Sequence, residues 1–178
     1  MKLKIKVKRI NKNLPLPEII KKGDWIDLRS SETVTLKAPQ WCPLRRSAED
    51  KNITHRDIVF DSKLIRLGVA IQMPKGFEAP LLSRSCIFEK FGVILANGEG
   101  LIDNPYCGDN DEWRFGAIAL RETTINEGDR ICQFRIQLSQ KATFWQKVKW
   151  FLCSGIKIVE VDHLDNPDRE GIGSTGTR

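Results

Sequence analysis

The stretch Phe91–Trp113, FGVILANGEGLIDNPYCGDNDEW, constrains the fold more than any other part of the chain. An apolar run at Gly92–Leu95 leads into Asn97-Gly98, and a second short apolar run, Gly100–Ile102, follows. Tight turns matched to the twist of paired strands need positive φ, which Asn and Gly tolerate, so Asn-Gly between two apolar runs predicts a hairpin. Asp103 then leaves the end of that hairpin, with Tyr106 close behind it. A carboxylate fixed at a strand end beside an aromatic ring can act as a general base next to a flat ligand. The same Asp-Asn-Pro run is also an ordinary turn opener, and local chemistry does not separate the two readings.

At 178 residues the chain is most simply one domain with room for a real core. It contains no apolar run near the ~18 residues of a membrane span, and MKLKIKVKRI has no unbroken apolar segment of the kind that opens a signal peptide. The expected compartment is the cytoplasm. Five cysteines (Cys42, Cys86, Cys107, Cys132 and Cys153) are odd in number, widely spaced and never in a Cys-x-x-Cys pair, so neither a disulfide framework nor a zinc site is expected. Two histidines, His55 and His163, are too few for a His-rich metal site and make triad chemistry a poor fit. The formal net charge of +6 favours anionic partners. Nucleic acid, acidic lipid and nucleotide phosphate all qualify, and charge alone does not choose among them.

From Lys2 to Lys8, lysines alternate strictly with Leu3, Ile5 and Val7, a period of two that predicts a half-buried strand. Its lysine face can meet nucleic acid, be simply solvated, or protect a sheet edge from pairing; the last two are the expected roles. Residues 39–57 have no apolar period and read as a long surface loop, in which Trp41, Arg45 and Arg46 form a partner patch or Trp41 anchors the loop to the body. Strands are expected over 63–82, 114–121 and 156–161. Between the last two, residues 142–153 (ATFWQKVKWFLC) change to a helical period. That period places Phe144, Trp145, Val148, Phe151 and Leu152 on one face and Lys147, Lys149 and Trp150 off it. Such a helix packs on the body or meets a membrane surface or partner. The end of the chain, 165–178, reads as a glycine-rich arm appended to a body of 1–164.

Several short stretches, in order, resemble the five motifs of the trimeric dUTP pyrophosphatases (dUTPases) of phage and bacterial type. Asp27-Leu28 after Gly23 resembles motif one, and Arg84-Ser85 within Ser83-Arg84-Ser85-Cys86 resembles motif two. Asn97, Gly100, Leu101-Ile102, Asp103 and Tyr106 fill the places of motif three. Gly128-Asp129-Arg130-Ile131-Cys132-Gln133 resembles motif four, with Cys132 where Ala is usual. Arg169 and the glycine-rich run Gly171-Ile172-Gly173-Ser174-Thr175-Gly176 resemble motif five. There Ile172 replaces the aromatic that stacks on uracil, and Arg169 lies closer to Gly-Ser-Thr-Gly than in many members.

The resemblance implies an all-β, distorted jelly roll of the β-clip kind, carrying a short helical insertion near the C-terminus and a loop insertion at 39–57. It implies a homotrimer whose sites lie between subunits: motifs one, two and four from one chain, three from a second and five from a third. It implies hydrolysis of dUTP to dUMP and pyrophosphate, which limits uracil in DNA and supplies dUMP for thymidylate synthesis. Asp103 would be the base, and Asn97 and Gly100 would read uracil. Tyr106 would pack on deoxyribose. Arg84, Ser85, Gln133, Arg169, Ile172, Gly173, Ser174 and Thr175 would bind the nucleotide and its phosphates. Asp27 would meet Mg2+ indirectly, through water and the triphosphate. A dCTP deaminase shares the fold, but its chemistry needs a glutamate on the strand after motif three, and Arg114–Leu120 holds none. A weakly catalytic member of the same fold, acting as a partner-binding module through its insertions, is the alternative.

Overall fold

The computed structural model describes residues 1–19, 23–46 and 54–169, with the backbone alone at Arg46 and His55. In chain order the first strands are β1 (Leu3–Arg9), β2 (Ile26–Arg29), β3 (Val34–Leu36), β4 (Gln40–Trp41), β5 (Arg45–Arg46), β6 (Thr54–His55) and β7 (Ile58–Val59). Then come β8 (Ser62–Arg66), β9 (Val69–Gln72), β10 (Phe77–Ser83), the short helix α1 (Ile87–Phe91), β11 (Val93–Leu95) and β12 (Gly100–Ile102). The last are β13 (Arg114–Ala119), β14 (Thr123–Ile125), β15 (Arg130–Phe134), β16 (Gln137–Leu138), helix α2 (Phe144–Phe151) and β17 (Ile156–Glu160). The expected all-β body with one helix near the C-terminus is what forms.

Short strands in small sheets close on one core. The largest sheet runs β12-β10-β15-β2 with β16 also on β10, beside three-stranded sheets β17-β1-β9 and β11-β13-β8. Period-two patterning decides what each strand contributes. Leu3, Ile5 and Val7 of β1 and Phe115, Ala117 and Ala119 of β13 point inward, their alternates outward. Trp113 and Phe134 meet edge to face at 4.9 Å, both sealed from solvent.

Four expectations change. The Asn97-Gly98 turn forms, with Gly98 at φ +66, yet β11 and β12 do not pair. β11 pairs with β13 and β12 with β10, so the turn is a corner between two sheets rather than a hairpin. Turn chemistry set the reversal, while the partners on either side set the pairing. The described residues of 39–57 are not structureless: β4 pairs with β7, just beyond them, and β5 with β6, so they form two-stranded pairings. Trp41 on β4 is 64 % exposed and does not anchor the loop. β1 lies between β17 and β9, so its lysines do not guard a sheet edge.

Helix α2 turns its apolar face outward. Phe144, Trp145, Phe151 and Leu152 are exposed, and Trp150, which the period set off that face, packs edge to face on buried Phe77 at 5.5 Å. The reason lies at its start. A capping box links Thr143 and Gln146, and the Gln146 side chain rests on Gly76, at φ +84, so the helix is seated by its cap on the turn before β10.

Phe134→Ala should cost about 3–5 kcal/mol as a buried aromatic. Phe151→Ala, with the side chain 85 % exposed, should stay within about 0.5 kcal/mol. Urea midpoints at unchanged slope test both, and a large Phe151 effect would mean that α2 buries its apolar face.

Candidate active site

The main sheet gathers one group of candidate residues. Asp27 on β2 stands opposite Gln133 on β15, and Gln133 stands opposite Leu82 on β10, two residues before Arg84. The Asp27 carboxylate is mostly buried and accepts from Arg84 Nε at 3.1 Å and from an Arg130 guanidinium nitrogen at 3.1 Å. Gln133 Nε2 donates to the Ser83 carbonyl at 3.3 Å. Ser85, in the turn between β10 and α1, is exposed. Cys132 is fully buried, and desolvation pushes its thiol well above the usual range, so it stays an inert packing residue.

A second group sits on the loop after β12. Gly100 pairs with Leu81, and a Cβ at Gly100 would lie 3.5 Å from Leu81 and 3.7 Å from the Asn97 amide. Asp103 keeps its side chain about half exposed, and its Oδ2 accepts from an Arg169 guanidinium nitrogen at 3.0 Å. Tyr106 donates its amide to the Asp103 carbonyl and its hydroxyl to the Glu112 carbonyl at 3.0 Å. Partial burial, then the nearby Asp111 charge, raises the phenol above its ordinary value.

Gly100 lies one strand across from Gln133 and its neighbour Phe134, but Asp103 and Arg84 do not come together within one chain. Ile102 faces Ala79 on β10, and Arg84 lies five residues past Ala79, about 17 Å at the ~3.3 Å rise of a strand. Asp103 and Arg84 therefore lie toward opposite ends of β10.

Sequence reasoning missed the residues that hold the Asp103 loop. Asn104 looked like part of a turn, yet its amide donates to the carbonyls of Pro74 at 2.8 Å and Phe77 at 3.1 Å, tying the loop to the turn before β10. Asp111 is buried and accepts the Gly108 N–H at 2.8 Å and the Arg169 N–H at 3.0 Å. Asp168 accepts the Asn110 N–H at 2.8 Å and its side-chain amide at 2.6 Å, contacts that lower the Asp168 pKa. These bonds pull the 168–169 segment across Gly108, where a Cβ would lie 2.5 Å from the Asp168 Cα. The density of Asp and Asn in Gly108-Asp109-Asn110-Asp111 was the available signal. Ile172, Gly173, Ser174 and Thr175 lie outside the described residues.

No protein-family model matches the chain. Individual relatives do. The SPβ prophage-derived deoxyuridine 5'-triphosphate nucleotidohydrolase of Bacillus subtilis is 39 % identical over 176 residues, 99 % of this chain and 100 % of that protein. The chain belongs to the dUTPase family. The deoxyuridine 5'-triphosphate nucleotidohydrolase of Finegoldia magna is 34 % identical across 97 % of the chain and 99 % of its own length. The dUTPase crystal structure from Streptococcus mutans matches in fold with TM-score 0.58 at 18 % identity, covering 77 % of this chain and 98 % of that one. The dUTPase of phage phi11 of S. aureus matches with TM-score 0.56 at 21 % identity, over 79 % of this chain and 93 % of that one.

In this dUTPase-family chain the 107–112 loop also holds the segment that leads to the arm. Asp109 accepts the Leu164 N–H at 2.7 Å, meets His163 Nδ1 at 2.9 Å and lies 3.4 Å from Lys8 Nζ. Those contacts, the Leu164 bond first, hold its pKa down at about 2. A folded pKa below the unfolded value means stability that is present above ~3.9 and lost as pH falls through the folded value. Between pH 5 and pH 2 the wild type should lose more stability than Asp109→Asn, measured as the shift of the urea midpoint; parallel curves would show that Asp109 is not tied as described.

Proposed function

We propose that this dUTPase-family chain hydrolyses dUTP to dUMP and pyrophosphate, with Asp103 as the base. The observation that carries the assignment is a half-exposed carboxylate at the end of β12, beside Tyr106, in a chain 39 % identical end to end to a dUTP nucleotidohydrolase. Asp103 accepts a proton from a water; that oxygen bonds to the α-phosphorus, the bond to the bridging oxygen breaks, and pyrophosphate departs with the electron pair. Arg169 bonds Oδ2 within the same chain, a departure from the expectation that motifs three and five meet only between chains. It orients the carboxylate so that Oδ1, with no partner among the described residues, receives the proton. Arg84, Ser85 and Gln133 sit together to meet phosphate oxygens, since a guanidinium offers paired donors and a hydroxyl can bond the bridging oxygen.

Among the described residues no three His, Cys, Asp or Glu side chains are grouped to hold a metal. That fits Mg2+ arriving on the triphosphate, where it neutralises charge on the leaving group. Asp27 already gives one oxygen each to Arg84 and Arg130, so it fits a water-mediated contact with the ion and otherwise orients the two guanidiniums. Asn97 and the tight corner before Gly100 read the uracil edge and leave no room for a thymine methyl. Tyr106 packs under deoxyribose and excludes a ribose hydroxyl. The arm, with Gly173, Ser174 and Thr175, closes on the terminal phosphates, and Ile172 covers the base without an aromatic stack.

The distance along β10 between Asp103 and Arg84 supports sites completed by more than one chain, as in a homotrimer. Asp103→Asn should lower kcat for pyrophosphate release from dUTP by about 10²–10⁴-fold with KM little changed. Selectivity for dUTP over dTTP, dCTP and UTP in the wild type is expected alongside, and an active Asn variant would remove Asp103 from the mechanism. Arg84→Ala should be similarly impaired, and co-refolding it in equal amount with Asp103→Asn should restore activity to about a quarter of all sites, roughly one site in each mixed trimer. No recovery would mean that each chain supplies both residues to its own site. Ile172→Phe should tighten nucleotide binding by adding the missing stack, read as a lower KM; an unchanged KM would place Ile172 away from the base.

A further inference from the structure

The outer face of β17-β1-β9 carries a cluster of cations that the hydrolytic site does not use. Lys2, Lys4 and Lys6 are exposed at alternate positions, and β17 runs parallel to β1 so that exposed Lys157 stands directly opposite Lys4. Like charges directly opposed across two strands are destabilising. Lys8 at the end of the row is engaged by Asp109, and Arg9 and Lys12 by Glu160. Lys2, Lys4, Lys6 and Lys157 have no ion-pair partner among the described residues. Edge protection is not their role, because β1 is the middle strand of its sheet.

We propose that this face binds the phosphate backbone of duplex DNA without regard to sequence. Alternate residues of a strand repeat every ~6.8 Å and the neighbouring strand adds a second row ~4.8 Å away. Successive phosphates of one DNA strand rise ~3.4 Å along the axis while turning about it, which places them about 7 Å apart through space, so a β-strand that follows the backbone presents about one lysine per phosphate. The rest of the face chooses among polyanions. Beside Lys6 lie Gln72 and half-buried Val159, and neither is an exposed aromatic. Membrane-surface binding needs apolar groups that enter the headgroup layer. Single-strand binding needs aromatic platforms for the bases. The lysine rows of β1 and β17 carry no aromatic of their own and suit a phosphate backbone read by charge. The exposed Phe144, Trp145, Phe151 and Leu152 of α2, which precedes β17, make vesicle binding the outcome to be set against it.

With about four phosphates neutralised per chain, affinity should fall roughly 100-fold between 50 and 200 mM salt. The test is fluorescence anisotropy of the full chain with a fluorescent duplex of about 30 base pairs, over that salt range. Lys4→Glu/Lys6→Glu/Lys157→Glu should lose at least about tenfold in affinity and flatten the salt dependence, with dUTP turnover unchanged. A control of equal charge change on and beside α2, Lys141→Glu/Lys147→Glu/Lys149→Glu, should change binding less than about threefold. The milder Lys4→Gln/Lys6→Gln/Lys157→Gln variant, checked by its thermal melt, should weaken binding in the same direction. Three results would overturn the proposal: no duplex binding by the wild type at low salt, equal loss in both Glu triples, or binding to phosphatidylserine vesicles without binding to duplex.

Discussion

Strand β10 is the member on which the rest of the structure depends. Its hydrogen-bonding edges engage β12 on one side and β15 and β16 on the other, so three segments distant in sequence take their register from it. Buried Phe77, at its start, seats Trp150 of α2, and Arg84 follows its end. Because the ladder is antiparallel, β12 delivers Asp103 toward the start of β10 while β15 and β2 deliver Gln133 and Asp27 near its end. One strand thus places Asp103 and Arg84 toward its two ends, while Gly100, opposite Leu81, lies across β10 from Phe134, the neighbour of Gln133.

The Asp103 loop shows how a half-exposed group is held still. Partly buried Tyr106 packs the loop on the core, and hydrogen bonds from Asn104 to the turn before β10, and from Gly108 and Arg169 to buried Asp111, fix it further. Burying a carboxylate is costly unless it is satisfied, and Asp111 is satisfied by two backbone N–H groups rather than by a cation. Those two donors come from the loop and from the root of the arm. The same carboxylate therefore joins the 168–169 segment to the loop that carries Asp103, and the Arg169 guanidinium reaches Asp103 as a consequence.

Much was legible in the sequence because local rules governed it. The alternation from Lys2 to Lys8 gave β1 with its buried and exposed faces, since a strand has only two faces and water takes the charged one. Asp27, Arg84, Gln133, Asp103 and Tyr106 stand as candidates through the resemblance of their motifs to the dUTPase family, a resemblance carried by residues adjacent in the chain. The corner at Asn97-Gly98, the strand pairings of the described residues of 39–57 and the outward face of α2 were not legible. In each case the local preference was right and the partner was unknown. A turn says that the chain reverses, not which strand lies beside it, and a helical period says that residues share a face, not which face meets the body. For α2 a cap on Gly76 and one Trp–Phe contact outweighed the larger apolar stripe.

The sequence by itself determined the strand patterning, the all-β class and the identities of the candidate catalytic and phosphate-binding side chains, because hydrophobic period, turn chemistry and motif spacing are written in adjacent residues. Only the tertiary structure decided that Asp103 and Arg84 lie toward opposite ends of one strand, that Asp111 joins the 168–169 segment to the Asp103 loop, and that β1 is an interior strand whose lysines do not guard an edge. Each of these depends on which distant backbone groups pair, and strand pairing is settled by the whole core at once.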